Sequence, residues 1–138
     1  MLFRSNEYGK LYNWYAVNDA RGLAPKGYHI PSDAEWSVLT DYLGGYNIAG
    51  SKMKSVGTQY WRSPNEGATN KSGFSGLPGG YRNYDGTSYS IGEFGYWWSS
   101  SEYHSTSAWD RSLSYYYGGV YRSYSSQAYG FSVRCLRD

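Results

Sequence analysis

The chain has 138 residues, a length that favours one domain spanning residues 1–138. Its formal net charge of +2 is too small to indicate a nucleic-acid partner or an anionic membrane surface. Aromatic residues make up 20% of the chain and charged residues only 17%, so tyrosine and serine hydroxyls must provide much of the polar surface.

The N-terminal part of the chain is predicted to contain one strand followed by a loop. Polar and apolar residues alternate over residues 8–17, which predicts an early strand with Leu11, Trp14 and Ala16 available for the core. Glycine and proline punctuate residues 20–31, which predicts a loop. The opening residues, 1–4, do not have the pattern of a signal peptide, and no apolar run approaches the roughly 20 residues of a membrane span.

A helix is predicted where the hydrophobic period changes, just before Ser32. Ser32 and Glu35 form a capping box, in which each side chain accepts a hydrogen bond from the other residue's backbone N–H. Apolar residues then recur at helical spacing, at Trp36, Leu39 and Leu43. Gly44-Gly45 ends this pattern, and a second, shorter helix is predicted over residues 49–57.

The middle of the chain, residues 59–95, is rich in glycine, asparagine, serine and proline, and this composition predicts a long irregular stretch. Four side chains are expected to pin the stretch to the core, namely Trp61, Phe74, Leu77 and Tyr81. Two strands are predicted after it, at residues 96–102 and 130–138.

The segment between these two strands is dominated by tyrosine, serine and glycine. Alternate residues of a strand face opposite sides. The side expected to pack on the core comprises Trp109, Arg111, Leu113, Val120 and Arg122. The side expected to face solvent comprises Asp110, Ser112, Ser114, Tyr121 and Ser123. Residues 116–119, Tyr-Tyr-Gly-Gly, are expected to form a hairpin turn, because glycine adopts the positive φ values that such turns favour.

The tyrosines of this segment have a structural and a functional interpretation. Tyrosine forms strands well, so its rings can be part of the fold. Tyr115, Tyr116 and Tyr117 are consecutive, however, and strand neighbours point to opposite sides, so not all three can be buried. Tyrosine, serine and glycine together are typical of antibody combining loops, where tyrosine gives amphipathic contact area and serine gives adaptable hydrogen bonds. The segment therefore predicts a ligand-binding surface.

Residues able to perform catalysis or hold a metal are few. His29 and His104 are the only histidines and lack the spacing of metal ligands, and no motif pairs the acidic residues for acid–base chemistry. Cys135 is the only cysteine, which excludes an internal disulfide, and its alternation with Val133 predicts a packed thiol. We expect no enzymatic activity, no metal and no cofactor.

Five segments resemble, in this order, the Fibrobacter succinogenes major paralogous domain: YGKLYNWYAVNDARGLAPKGYHIPSDAEW, GFSGLPGGYR, GYWWSSSEY, AWDRSL and GFSVRCLRD. The resemblance spans residues 8–138 and implies an α+β, C-type lectin-like fold of the formylglycine-generating-enzyme branch, with paired terminal strands and a long, loop-rich middle. The enzymes of that branch use a cysteine pair, which is missing from this chain, so their activity is not expected. The calcium-binding motifs of sugar-binding lectins, E-P-N or Q-P-D with W-N-D, are also missing, so a calcium site is not expected.

Members of this fold include the variable proteins of diversity-generating retroelements, in which an error-prone reverse transcriptase changes adenines and rewrites the 3′ end of a target gene. Changes at the adenines of asparagine codons yield Tyr, Ser, His, Thr, Asp, Gly and Arg, among others. The resemblance therefore implies a variable region at about residues 98–130. It also implies a protein or glycan partner on a cell surface, and a location on a phage virion or a bacterial cell surface.

The predicted ligand-binding residues all belong to this set of amino acids, and they are Tyr103, His104, Ser105, Ser107, Asp110, Ser112, Ser114, Tyr115, Tyr116, Tyr117, Tyr121, Ser123, Tyr124 and Ser125. The frame beneath them is predicted to comprise Trp97, Trp98, Trp109, Arg111, Leu113, Val120, Arg122, Phe131 and Val133. A cell-surface carbohydrate-binding or structural module without diversification is the alternative function. An enzyme that retains the pocket of the generating enzymes is the third.

Overall fold

The computed structural model describes residues 7–138, so the opening residues 1–4, discussed above as unlike a signal peptide, lie outside the described part. Its helices are α1 (Trp14–Val17), α2 (Asp33–Tyr42) and α3 (Tyr46–Met53). Its strands are β1 (Tyr28–His29), β2 (Tyr81–Arg82), β3 (Ser88–Tyr89), β4 (Phe94–His104), β5 (Ser107–Ser114), β6 (Tyr117–Ser126) and β7 (Leu136–Arg137). They form small antiparallel sheets, β1–β7, β2–β3 and the central sheet β4–β5–β6. The α+β prediction is confirmed.

The early strand predicted over residues 8–17 is wrong, because the chain forms α1 there. The Asn13 side chain caps this helix by accepting a hydrogen bond from the Ala16 backbone N–H at 3.0 Å. Trp14 and Val17 are buried, while Ala16 is only partly buried. Over so short a run, residues three apart fit a helix as well as alternation fits a strand, and the polar cap decides between the two.

The capping box predicted for α2 is confirmed. Ser32 Oγ accepts a hydrogen bond from the Glu35 N–H at 3.1 Å, and Glu35 Oε1 accepts one from the Ser32 N–H at 3.0 Å. Gly44 and Gly45 follow the helix with φ values of 107° and 101°, which only glycine adopts readily. Trp36 is buried on the core side of α2, so sequence and structure agree closely in this part of the chain.

The second helix, α3, begins three residues before the predicted segment 49–57 and packs closely on β6. A Cβ atom on Gly50 would overlap the Gly119 carbonyl oxygen, so both glycines are needed for close approach. The predicted hairpin turn at residues 116–119 is therefore right only for Tyr116, because residues 117–119 lie within β6. The turn is formed by Tyr115 and Tyr116.

A buried lysine holds this turn. Lys54 Nζ donates hydrogen bonds to the carbonyl oxygens of Ser114 at 2.9 Å, Tyr117 at 3.1 Å and Glu66 at 2.8 Å. Burial lowers the pKa of Lys54 to about 8. The carbonyls stabilise the ammonium group at a position from which water is excluded, and the turn is fixed to the end of α3.

The long irregular stretch at residues 59–95 is confirmed, with only the short β2–β3 hairpin and the first two residues of β4 inside it. Trp61 is buried as predicted, whereas the other three expected pins, Phe74, Leu77 and Tyr81, are partly buried.

The closing strand predicted over residues 130–138 is wrong as one element. Gly130, Phe131 and Ser132 make isolated bridges, and only β7 pairs further on, with β1. The first and last described strands thus pair, as the resemblance implied.

The central sheet is covered on both faces. On one face Trp97, Leu113 and Val120 pack with side chains of α2 and α3. On the other, Trp98 and Phe131 form a second cluster with Trp14, Val17, Ile30 and Ala108. Several buried indole N–H groups donate to backbone carbonyls, for example Trp98 to Tyr12 at 2.8 Å and Trp61 to Gly76 at 3.0 Å. These two tryptophans therefore contribute apolar area without an unsatisfied donor.

His29 ties the β1–β7 pair to the start of α2. Its Nε2 lies 2.8 Å from Glu35 Oε2, and its Nδ1 lies 2.7 Å from Asp138 Oδ1. The hydrogen bond with Glu35, followed by that with Asp138, raises the pKa of His29 above its usual value. Protonated His29 donates to both carboxylates, so it fastens the C-terminal strand to the rest of the fold.

We expect His29→Gln to lower the free energy of unfolding more at about pH 5.5 than at about pH 8.5. The pKa of His29 is raised in the folded state, so its stabilisation is complete below the unfolded-state value near 6.5 and is lost as the pH rises through the folded-state value. Urea denaturation of both proteins at the two pH values measures the difference. An equal effect of the substitution at both pH values would contradict the assignment.

Candidate functional site

Two tyrosines form an exposed pair of stacked rings at one end of the central sheet. The ring centroids of Tyr103 and Tyr124 are 4.0 Å apart with an interplanar angle of 15°. Trp109 packs edge-on against both, at 4.7 Å from Tyr103 and 5.7 Å from Tyr124. The two tyrosines keep 42% and 51% of their surface exposed. We call these three residues the tyrosine stack.

Strand pairing brings the rings of the tyrosine stack together. Trp109 of β5 is the direct cross-strand partner of Tyr124 of β6, and cross-strand aromatic pairs stabilise antiparallel sheets. Tyr103 comes from the end of β4, beyond a register shift between Trp98 and Glu102. All three strands of the sheet therefore contribute one ring each.

An arginine lies against the tryptophan of the stack. The Arg122 guanidinium is 3.6 Å from the centroid of the Trp109 ring, which is a close cation–π contact. The same guanidinium donates to Asp33, from Nε to Oδ1 at 3.1 Å and from Nη2 to Oδ2 at 2.8 Å. Arg122 is thus held in a bidentate pair while its face covers Trp109.

Asp33 is shared with a second, buried arginine. Arg111 Nη1 donates to Asp33 Oδ1 at 2.7 Å, and Arg111 Nη2 donates to Ser37 Oγ at 3.1 Å. Burial opposes ionisation of Asp33, but hydrogen bonds from Arg122 and Arg111 outweigh it, so the pKa of Asp33 lies below its usual value. Two guanidinium groups surround one carboxylate, so the cluster carries a net positive charge beside the tyrosine stack.

The predicted ligand-binding residues fall into three groups by exposure. The exposed ones are Tyr103, His104, Ser105, Tyr116, Ser123 and Tyr124. The partly buried ones are Ser107, Tyr115, Tyr117, Tyr121 and Ser125. The buried ones are Asp110, Ser112 and Ser114. The exposed group lies around the β4–β5 turn and the outer end of β6, except for Tyr116, which lies at the β5–β6 turn.

The expectation that Asp110, Ser112 and Ser114 face solvent is wrong. All three lie in β5, the central strand of the sheet, and both faces of that strand are covered. Ser112, for example, is paired with Tyr96 on one side and Tyr121 on the other. Alternation predicts opposite faces but does not tell whether the second face meets water or a second core.

The exposed phenols lie on both faces of the sheet. Tyr124 shares the face of Trp109 and Arg122, which the sequence assigned to packing. Of the frame residues, Trp97, Trp98, Arg111, Leu113, Val120 and Phe131 are buried as predicted, Trp109 and Val133 are partly buried, and Arg122 is exposed. The frame prediction is therefore right for the buried residues, whereas Arg122 supports Trp109 from an exposed position.

A separate aromatic group surrounds the β5–β6 turn. Tyr116 is 54% exposed and lies edge-on to Phe94 at 6.0 Å and to Tyr115 at 5.1 Å. Tyr117 lies 4.9 Å from Tyr121. Burial, followed by a hydrogen bond with Tyr116, raises the pKa of Tyr121 to about 12. These four phenols pack against one another in pairs, and Tyr116 is the most exposed of them.

Sequence reasoning missed the role of Asp33. Its partners Arg111 and Arg122 are 78 and 89 residues away in the chain, so no local pattern signals the pairing. Sequence reasoning also missed that Tyr81, Tyr96 and Tyr129 gather around one pocket, because they belong to three distant segments. Only tertiary structure reveals either cluster.

Other kinds of site find little support in the part of the chain that the structure describes. Among residues 7–138, no group of three or more His, Cys, Asp or Glu side chains is arranged to hold a metal ion. No helix in the same range combines the length and apolar character needed to cross a bilayer. Cys135 is free and partly buried, and burial raises the pKa of its thiol, which disfavours the reactive thiolate.

Comparison with known proteins identifies the family. The model of the family described as Fibrobacter succinogenes major domain matches residues 3–137, so the chain belongs to this family. The resemblance drawn from the five segments is confirmed at this level. No curated protein and no solved structure matches the chain.

We expect Asp33→Asn to lower the free energy of unfolding by about 3 kcal/mol, because Arg111, only 1% exposed, would lose its charged partner. Asp19→Asn is the matched control, since Asp19 pairs with Arg21 at 2.8 Å on the surface and such pairs contribute little. Chemical denaturation of the three proteins compares the two changes. A loss in Asp33→Asn no larger than in the control would contradict the shared-carboxylate account.

Proposed function

We propose that this chain is a non-enzymatic ligand-binding domain that contacts a protein or glycan on a cell surface through the tyrosine stack. The observation that carries the proposal is the exposure of two stacked phenol rings, 42% for Tyr103 and 51% for Tyr124. Moving aromatic rings out of water is favourable, so the two paired and exposed rings provide apolar area that a partner can bury. Exposed aromatic clusters of this kind mark interaction sites.

The neighbours of the two rings favour binding over a purely structural role. Trp109 supports both rings from the edge, and Arg122 holds Trp109 through its bond to Asp33. A surface already ordered before binding loses less conformational entropy when a partner arrives. Tyrosine, tryptophan and arginine are also the residues that most often dominate binding energy at interfaces.

The rim of the tyrosine stack provides hydrogen-bonding groups. His104 lies beside Tyr103, with ring centroids 5.5 Å apart, and is exposed. Ser105 is exposed in the β4–β5 turn, and Ser123 is exposed in β6 next to Tyr124. An apolar centre with a polar, adaptable rim is the arrangement found in binding surfaces built from tyrosine and serine.

We propose in addition that the exposed positions are varied by a diversity-generating retroelement on a C-type lectin-like fold of the formylglycine-generating-enzyme branch. The β1–β7 pairing and the irregular middle support this fold. The residues at the exposed positions belong to the set reached from asparagine codons by adenine changes, while buried Asp110, Ser112 and Ser114 limit the variation that the sheet tolerates. On this proposal the protein is located on a phage virion or on a bacterial cell surface.

The retroelement proposal requires two features of the gene locus. A reverse-transcriptase gene must lie nearby, together with an adenine-rich near-copy of the 3′ end of this coding sequence. If the locus lacks both features, the alternative function remains. It is a carbohydrate-binding or structural surface module without diversification, and it would use the same tyrosine stack. The binding proposal itself depends only on the geometry of the rings.

We expect Tyr103→Ser and Tyr124→Ser each to weaken binding by about 1–3 kcal/mol while the protein still unfolds cooperatively. Either change removes a ring face from the contact area, and both positions lie at the surface. The measurement is binding of the labelled protein to a glycan array and to a panel of bacterial cells.

Tyr42→Ser is the matched control, because Tyr42 is 86% exposed on α2 and lies outside the tyrosine stack. It should bind as the unchanged protein does. If a glycan or a cell binds all three variants as tightly as the unchanged protein, its binding does not use the tyrosine stack. If every probe behaves in this way, the proposal is wrong.

A further inference from the structure

A second aromatic site lies on the opposite face of the central sheet from the tyrosine stack. It is an open pocket of about 200 Å³, lined by Tyr81, Tyr96, Ser125, Tyr129 and Phe131. Ser125 directly follows Tyr124 in β6, and consecutive strand residues point to opposite faces. The pocket and the stack are therefore separate, and a ligand in one does not touch the other.

Four of the five residues that line the pocket are aromatic, and Ser125 is the exception. Tyr96 and Phe131 stack with centroids 4.9 Å apart, and Tyr81 packs edge-on to Tyr96 at 5.4 Å. Tyr129 lies 5.6 Å from Tyr81 and 6.3 Å from Phe131. Aromatic rings carry negative charge density on their faces, so several convergent rings attract a cation.

A buried carboxylate lies immediately behind this aromatic wall. Ser125 Oγ donates to Asp110 Oδ2 at 2.7 Å, and Asp110 is only 1% exposed. The neighbouring Arg111 does not pair with this carboxylate, since its guanidinium bonds Asp33. Within residues 7–138, Asp110 forms no ion pair.

Burial of this carboxylate is unfavourable without a compensating cation. Burial raises the pKa of Asp110 to about 6, even though the hydrogen bond from Ser125 and the charge of Arg111 lower it. At neutral pH the anionic form still predominates. A buried negative charge behind a group of aromatic rings therefore makes the pocket electronegative, and a bound cation would relieve the burial penalty.

We propose that the pocket of Tyr81, Tyr96, Tyr129 and Phe131 binds a small organic cation of the alkylated ammonium class, with Asp110 as its counter-charge. Methyl groups on nitrogen contact the ring faces by dispersion and cation–π attraction, and they need no hydrogen-bond acceptors. A neutral sugar would gain the ring contacts but would leave the charge of Asp110 uncompensated. The inference is independent of the surface partner of the tyrosine stack.

The test uses the full chain in an NMR titration with choline chloride and with the neutral carbon isostere of choline, in which a tert-butyl group replaces the trimethylammonium group. Sodium chloride keeps the ionic strength equal. We expect choline to bind at least about tenfold more tightly than its isostere, with the shifts centred on Tyr81, Tyr129 and Ser125. Equal affinity of the two compounds, or no binding of choline, overturns the proposal. Binding of methyl glucoside in place of choline overturns it as well.

Two variants assign the attraction to the rings and to the carboxylate. Tyr129→Leu keeps apolar area but removes a ring face, and it should weaken choline several-fold while leaving the isostere unchanged. Asp110→Asn removes the charge and should also weaken choline selectively. Tyr42→Leu is the control, because Tyr42 is exposed on α2 away from the pocket, and it should bind choline normally. Unchanged choline affinity in Tyr129→Leu overturns the assignment.

The pH dependence of the unchanged protein provides the same information if Asp110→Asn does not fold. Choline carries a charge that does not titrate, so its affinity should fall as Asp110 becomes protonated below about pH 6. The other charged or titratable groups that face Asp110 are Arg111 and Tyr96, and burial raises the pKa of Tyr96 to about 12, far above this range. An affinity that stays constant from pH 7 to about pH 5 would contradict the role of the carboxylate.

Discussion

The outer end of the central sheet is organised around one carboxylate that is shared by two guanidinium groups. Asp33, the first residue of α2, accepts hydrogen bonds from Arg111 of the central strand and from Arg122 of the edge strand. The charges of Arg111 and Asp33 are largely removed from water here, and their pairing offsets the desolvation penalty that either would suffer alone. The arrangement fixes the helix to two strands and holds the plane of Arg122 against Trp109. The tyrosine stack is therefore supported by an electrostatic clamp and does not rest on apolar packing alone.

The second constraint is that the sheet carries a core on each face. Tryptophans point alternately to the two sides, Trp97 to the cluster under the helices and Trp98 to the cluster around Phe131. The central strand β5 thus has no free side over most of its length, and Asp110, Ser112 and Ser114 belong to the interior. Freedom to change remains at the end of β4, at the turns and along the outer part of β6. Aromatic side chains at those places are exposed because nothing in the described part of the chain covers them.

The sequence predicted well the features that depend on local chemistry. The capping box of Ser32 and Glu35 needs only neighbouring residues, and the family motifs are read directly from the chain. It failed where the outcome depends on distant parts of the fold. The helix at Trp14 was mistaken for a strand because its pattern is short, and Gly119 was assigned to a turn because its contact with Gly50 is tertiary. Asp110, Ser112 and Ser114 were expected to face solvent because a second core on the other face of the sheet leaves no local signal in the sequence.

The central claim is that a fixed, doubly packed sheet supports a surface whose residues can be exchanged. The direct measurement compares two displayed libraries by resistance to protease. One is randomised at Tyr103, His104, Ser105, Ser123 and Tyr124, and the other at Asp110, Ser112 and Ser114. We predict that most members of the first library remain folded and that most members of the second do not. Equal tolerance in both libraries, or greater loss in the first, would contradict the account.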